Sequence, residues 1–244
     1  MESNAIDPVD FRTAQHKQWN SAAVGWKEWS ELAESAYGHI SERLVELAGV
    51  QAGSHVLDVA AGYGEPGLTA ARRAGPEGSV VATDISAEML AFGRERAAAA
   101  GLGNVEFMQS DASSLDFPHA SFDAAVSRWG IIFEPDAEAA AGRIRGFLKP
   151  GARMAISSWG EPDQVPLLSI PMRTTMKRLD LPPPPAGTPR APLEAHPRRH
   201  RRSARRRRIL GRRRGTGRSH LRVRLAGAIH RLHPGDLRPD PGND

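Results

Sequence analysis

Residues 56–67 read Val56-Leu57-Asp58-Val59-Ala60-Ala61-Gly62-Tyr63-Gly64-Glu65-Pro66-Gly67. The apolar run of Val56, Leu57 and Val59 has the character of a strand buried on both faces. Small residues and glycines break it, and an amphipathic stretch from Leu68 to Ala74 follows at once. Strand, glycine turn and helix, in that order, form the entry to a nucleotide site. Gly62 and Gly64 have no Cβ, so the backbone can turn sharply there and a ligand can approach it closely.

Outward from this loop, strand and helix patterns alternate. Gly75-Pro76-Glu77-Gly78 is a turn, and Ser79 to Asp84 is a second strand ending in a carboxylate. Asp84 lies 22 residues past Gly62, near the spacing of an acid that accepts the ribose hydroxyls. Its competing role is a helix N-cap, but Ser86 fills that role better and leaves Asp84 for the ligand. A helix over 87–100 stops at Gly101. Residues 104–109 and 121–127 pattern as strands and 136–147 as a helix. Leu148-Lys149-Pro150-Gly151 is a turn, and 152–159 is the fifth strand. Residues 8–49 read as two helices, the first rich in aromatics (Phe11, Trp19, Trp26, Trp29), and 163–180 as another helix. Five strands alternating with helices predict an α/β, Rossmann-like, doubly wound sheet, mostly parallel. Ligands bind such sheets at the carboxyl ends of the strands, where Ser127, Arg128 and Trp129 stand.

Two cofactors compete for the loop. Gly62, Gly64 and Gly67 fit the dinucleotide fingerprint G-x-G-x-x-G. Asp58 speaks against it, because the fingerprint strand normally runs apolar into its first glycine. An acid four residues before Gly62 resembles motif I of the class I S-adenosylmethionine-dependent methyltransferases, acidic-x-Gly-x-Gly-x-Gly, matched by Asp58, Ala60, Gly62 and Gly64. Ala60 departs from the first glycine. The Asp111-Ala112 pair after the third strand, the stretch Leu115-Asp116-Phe117-Pro118 to Ser121-Phe122-Asp123, and the Leu148–Gly151 turn are further markers at the family's places. The resemblance covers about residues 10–180 and is strongest to the small-molecule branch typified by the ubiquinone/menaquinone-biosynthesis methyltransferases.

That resemblance implies S-adenosyl-L-methionine as cofactor and methyl transfer to a small-molecule acceptor. It places Asp58, Ala60, Gly62, Gly64, Asp84, Ile85, Met89, Asp111, Ala112 and Ser127 at the cofactor, with Asp111 and Ala112 at the adenine and the Ser127 backbone at the amino group. It implies N-terminal lid helices over 1–50, with Trp19, Trp26, Trp129 and Phe133 as acceptor walls. Aromatic faces also suit a sulfonium by cation–π attraction. The competing role for the N-terminal aromatics is core packing, and for Asp111 an Asx turn. No catalytic base stands out: His16, His39 and Glu134 are candidates only, and no metal site is expected.

The chain has 244 residues, no cysteine and a net charge of +5. It offers no disulfide or thiolate-metal framework. Nothing in it reads as a signal peptide or a membrane span, so a soluble cytoplasmic protein is expected. The charge is unevenly placed: residues 1–190 carry a net of −7 and 191–244 a net of +12, the latter from 16 arginines and no lysine. Residues 51–190 therefore read as the cofactor-binding core and 191–244 as an arginine-rich tail. The tail admits three explanations: a nucleic-acid-binding extension, as in an RNA methyltransferase; a disordered tail; or a reading-frame slip in GC-rich DNA, which yields arginine and proline codons without lysine. The acidic core and the absence of interleaved aromatics weigh against nucleic acid. If the frame has slipped, the final antiparallel strands of the family fold are missing, no strand is expected beyond about residue 195, and the chain would be a cofactor-binding but inactive protein.

Overall fold

A computed structural model describes residues 8–160, 164–181 and 224–226. Two long helices open the chain, α1 (Pro8–Glu28) and α2 (Ser30–Ala48). Then come β1 (His55–Val59), α3 (Gly67–Ala74), β2 (Ser79–Asp84), α4 (Ala87–Ala99), β3 (Val105–Gln109) and β4 (Phe122–Arg128). A 3-10 turn (Ile131–Phe133), α5 (Ala137–Phe147), β5 (Leu148–Ser157), α6 (Pro166–Arg178) and β6 (Arg224–Ala226) complete it. The sheet order is β3-β2-β1-β4-β5-β6, and every described pairing is parallel. The order reverses between β1 and β4, which opens a crevice at their carboxyl ends.

The apolar strands separate two cores. On one face Leu57, Val59, Ala125, Met154 and Ile156 meet Ile144 and Phe147 of α5. On the other, Val56, Val80, Ala124, Val126 and Ala155 meet Ala70, Ala71 and Ala74 of α3 and Leu44, Val45 and Ala48 of α2. Helix α2 is thus a structural layer of the sheet, while α1 runs over the crevice mouth. The Ser86 hydroxyl caps α4, as its place before the helix suggests, by accepting from the Met89 N–H; the structure adds Asp136, which caps α5 through the Ala139 N–H.

Two expectations are corrected. The Leu148–Gly151 turn does not precede the fifth strand; it is a bulge within it. Leu148 already pairs with Phe122, and the register resumes at Arg153 opposite Ala124. Gly151, at φ +85, absorbs the bend. The tail is also not free of strands. Arg224–Ala226 pairs parallel with Ala155–Ser157. An open β5 edge presents unpaired N–H and C=O groups, and any short extended segment can satisfy them whatever its charge. Among the described residues no antiparallel strand occurs. The rest of the tail, and with it the choice between its three explanations, lies outside the described residues.

Candidate active site

The loop after β1 is built on positive φ. Ala60 sits at +57, Gly62 at +55 and Gly64 at +103. Ala60 therefore occupies a conformation that glycine adopts freely and alanine only at a cost. Its Cβ takes the space against Gly130, where an added Cβ would come within 2.2 Å of it.

Asp58 is fully buried within β1, and its Oδ2 accepts from the Gly67 N–H at 2.6 Å. It fixes the first turn of α3, and a Cβ on Gly67 would lie 2.8 Å from that oxygen. Its Oδ1 is buried without a hydrogen-bond partner among the described residues. Burial pushes this carboxyl well above the usual range, against the pull of the Gly67 N–H, with Glu65 and Asp84 adding to the rise. Asp84, at the end of β2, accepts from the Gly62 N–H at 2.8 Å and from the Ser86 N–H at 2.9 Å. Burial raises its pKa, and the backbone N–H groups of Ser86, Gly62 and Ile85 oppose the rise. One carboxylate thus ties the glycine loop to the start of α4 and still lines the crevice.

The crevice holds a cavity of about 320 Å³. Its lining combines residues of the loop and strand ends, Ala60, Gly62, Asp84, Ile85, Met89, Asp111 and Ala112, with an aromatic set of Trp19, Trp26, Tyr37, Tyr63, Trp129, Phe133 and Trp159 and with Met172. The aromatic walls brace one another. Trp129 stacks on Trp159 at 4.1 Å between centroids, Tyr37 stands edge-on to Trp129 at 5.0 Å, and Trp19 meets Phe133 edge-on at 5.4 Å. Trp26 of α1 stacks on Tyr63 of the loop at 5.4 Å.

Most residues expected at the cofactor line this cavity, as do all four expected acceptor walls. Three do not. Asp58 lies beneath the loop and acts on Gly67. Gly64 is turned under it, and a Cβ there would press on Leu68 Cδ1 at 3.1 Å, so its glycine serves helix packing and not ligand approach. The Ser127 hydroxyl is buried and accepts from the Ile131 N–H, closing the turn after β4. Asp111 makes the Asx turn, accepting from the Ser113 N–H at 2.7 Å, and also lines the cavity, so its two readings coexist.

The patterning of the chain gives no hint of a second group. Arg128, buried at the end of β4, donates to Ser41 Oγ at 2.9 Å, Glu34 at 2.8 Å and the Tyr63 hydroxyl at 2.7 Å. The Tyr63 hydroxyl also donates to Glu34 at 2.6 Å. Burial works against the guanidinium's charge, but Tyr63, Glu34 and Glu65 outweigh it and raise the pKa. Burial likewise raises the Tyr63 phenol. This cluster joins α2, the glycine loop and β4 at the cavity wall. No cluster of side chains among the described residues could hold a metal ion, and no described helix is long and apolar enough to cross a membrane.

Known proteins resemble the chain at this same region. The family described as "Methyltransferase domain" matches residues 56–151. A ubiquinone/menaquinone biosynthesis C-methyltransferase, UbiE, of Pseudomonas putida is 40% identical over 119 residues, covering 48% of this chain and 46% of the relative. That of Pseudomonas fluorescens is 35% identical over 146 residues, covering 59% and 57%. The chain thus spans about half the length of these relatives. A solved structure from Methanococcus maripaludis, assigned to the S-adenosyl-L-methionine-dependent methyltransferases, shares the fold at TM-score 0.51 and 22% identity, over 74% of this chain and 76% of that one.

Proposed function

We propose, from the match of residues 56–151 to the methyltransferase-domain family, that the protein transfers a methyl group from S-adenosyl-L-methionine to a small aromatic acceptor. The observation that carries this is one cavity with two chemically different sets of lining residues. Gly62, Asp84, Asp111 and Ala112 give a set suited to a ribose, an adenine and an amino acid. Trp19, Trp129, Phe133 and Trp159 give an aromatic set suited to a flat acceptor. Nothing at the loop requires a pyrophosphate: the Gly62 N–H that a phosphate would take is already held by the Asp84 carboxylate, which lines the cavity.

When bound, the cofactor supplies an electrophilic methyl on a sulfonium, to which the acceptor's electron pair bonds as the carbon–sulfur pair returns to sulfur. The chain supplies position. Asp84 holds the Gly62 N–H and so fixes the loop that would carry the methionine part. The braced aromatics exclude water and hold the acceptor plane. Such orientation is worth roughly 7–11 kcal/mol when the reacting atoms are aligned in line. The names of the curated relatives favour a hydroxylated aromatic ring methylated on carbon.

A second reading, cofactor binding without turnover, is favoured by the arginine-rich composition of residues 191–244, which carry 16 arginines and no lysine. One experiment separates the two. The protein is incubated with methyl-labelled S-adenosylmethionine and 1,4-naphthohydroquinone, and the products are read by mass spectrometry. The expected outcome is a labelled C-methyl product. Binding of S-adenosylhomocysteine with no transfer of label would favour the second reading, and no binding would contradict both.

A further inference from the structure

Four carboxylates line the cavity: Glu65, Asp84, Asp111 and Glu134. Three are committed. Glu65 accepts from the Thr69 N–H and hydroxyl and pairs with Arg96. Asp84 holds Gly62 and Ser86, and Asp111 holds Ser113. Glu134 is different: among the described residues its carboxylate makes no hydrogen bond and no ion pair.

Its position is equally distinct. Glu134 follows Phe133 directly and closes the 3-10 turn after β4, its N–H donating to Ile131 O at 3.2 Å. It lines the cavity beside Phe133, with Arg12 and Asp111 as its charged neighbours. It also lines a second, wider groove of about 860 Å³ between the 113–119 segment and α5, sharing Arg12 and Pro135 with both spaces. A free carboxylate therefore stands in the partition between the acceptor space and an open groove that leads to solvent. His16 and His39, the other candidates from the sequence, do not line the cavity.

We propose that Glu134 is the proton acceptor of the reaction: it takes the hydroxyl proton of a phenolic or enolic acceptor and passes it to water in the groove beside α5. The proposal rests on the methyl-transfer reading above. As the proton moves to a Glu134 carboxylate oxygen, the oxygen–hydrogen pair stays on the acceptor and feeds the atom that bonds to the methyl carbon. For attack through oxygen the product forms directly. For attack through a ring carbon, the ring loses its own proton and the oxygen regains one as aromaticity returns. Either way one proton leaves per methyl transferred. The charged groups facing Glu134 are Arg12 of α1 and Asp111 after β3; Asp136, two residues on, is engaged in capping α5. Burial and the Asp111 charge raise the Glu134 pKa to about 7, against Arg12, which suits a base that must both take and release a proton near neutrality.

The test compares the full chain with its Glu134→Gln variant in three measurements. The first is S-adenosylhomocysteine affinity by calorimetry, which sets the cofactor concentration at which the two proteins are compared; absence of binding in both proteins would instead sink the methyl-transfer reading itself. The second is melting temperature from pH 5 to 8 with S-adenosylhomocysteine present. The wild type should lose stability relative to the variant as pH rises through about 7, because a folded carboxyl of raised pKa favours its protonated form. The third is methylation of 1,4-naphthohydroquinone. Wild-type kcat/KM should rise with pH to a plateau above about 7, and the variant should lose that limb and about 10²–10⁴-fold in rate. A variant that keeps wild-type turnover, a melting difference that does not move with pH, or a wild type that binds S-adenosylhomocysteine and leaves the hydroquinone unmethylated would each overturn the proposal.

Discussion

Ala60 and Gly130 are a matched pair. Ala60 carries its side chain at φ +57, and Gly130 leaves room for it. Ala60→Gly should relieve the left-handed strain and stabilise the fold by up to about 1 kcal/mol. Gly130→Ala should destabilise by about 1–3 kcal/mol, because its new Cβ meets that of Ala60. The double variant should recover part of the loss, a non-additivity readable in denaturant titrations. Asp84 is a residue with two duties. Asp84→Ala should weaken S-adenosylhomocysteine binding at least about tenfold by removing charge-assisted bonds to ribose. It should also destabilise the ligand-free protein by about 1–3 kcal/mol, since the Gly62 and Ser86 N–H groups lose their acceptor. From the sequence alone the ligand role and the capping role look exclusive; the carboxylate has two oxygens, each holding one N–H, and room to accept more.

At the scale of elements, the contact that matters most is the one α2 makes with β4 and the glycine loop. Glu34 and Arg128 stand 94 residues apart. Glu34→Ala would leave the buried guanidinium with Ser41 and Tyr63 as its hydrogen-bond acceptors, and loss of this charged, partly exposed partner should cost about 1–3 kcal/mol. Melting temperature measures the loss, and Tyr63→Phe in the same background should add less than its single effect because the three groups share one network. This group also marks the limit of what was legible. The loop, Asp84 and Ser86 announce themselves by local chemistry: a glycine spacing, a strand-end acid, a hydroxyl before a helix. Strand and helix order follows from hydrophobic period. Arg128 with Glu34, or Trp129 with Trp159 and Tyr37, carries no such mark, because each pairing is made only when α2 docks on the sheet and β5 lies beside β4. The Leu148–Gly151 segment was legible as a bend but not as a bulge, since register depends on the partner strand.

For the whole molecule, buried carboxylates set the pH response. Asp58, Asp84, Glu65 and Glu134 all have folded pKa values above the usual range, burial being the first cause in each. The folded state then binds more protons than the unfolded state between the ordinary carboxyl range and the raised values. Stability from these groups is present at low pH and lost as pH rises through them, one such step falling near pH 7 at Glu134. Chemical denaturation at pH 5.5 and pH 8 should show this loss, and a cationic ligand that favours ionised Asp84 and Asp58 should reduce it. The most direct test of the central claim, that this glycine loop with its strand acid is a site for S-adenosylmethionine and not for a dinucleotide, is isothermal titration calorimetry of the full chain with S-adenosylhomocysteine and, separately, with NADH. The structure predicts saturable binding of S-adenosylhomocysteine in the micromolar range and no heat with NADH beyond dilution; binding of NADH without S-adenosylhomocysteine would contradict it.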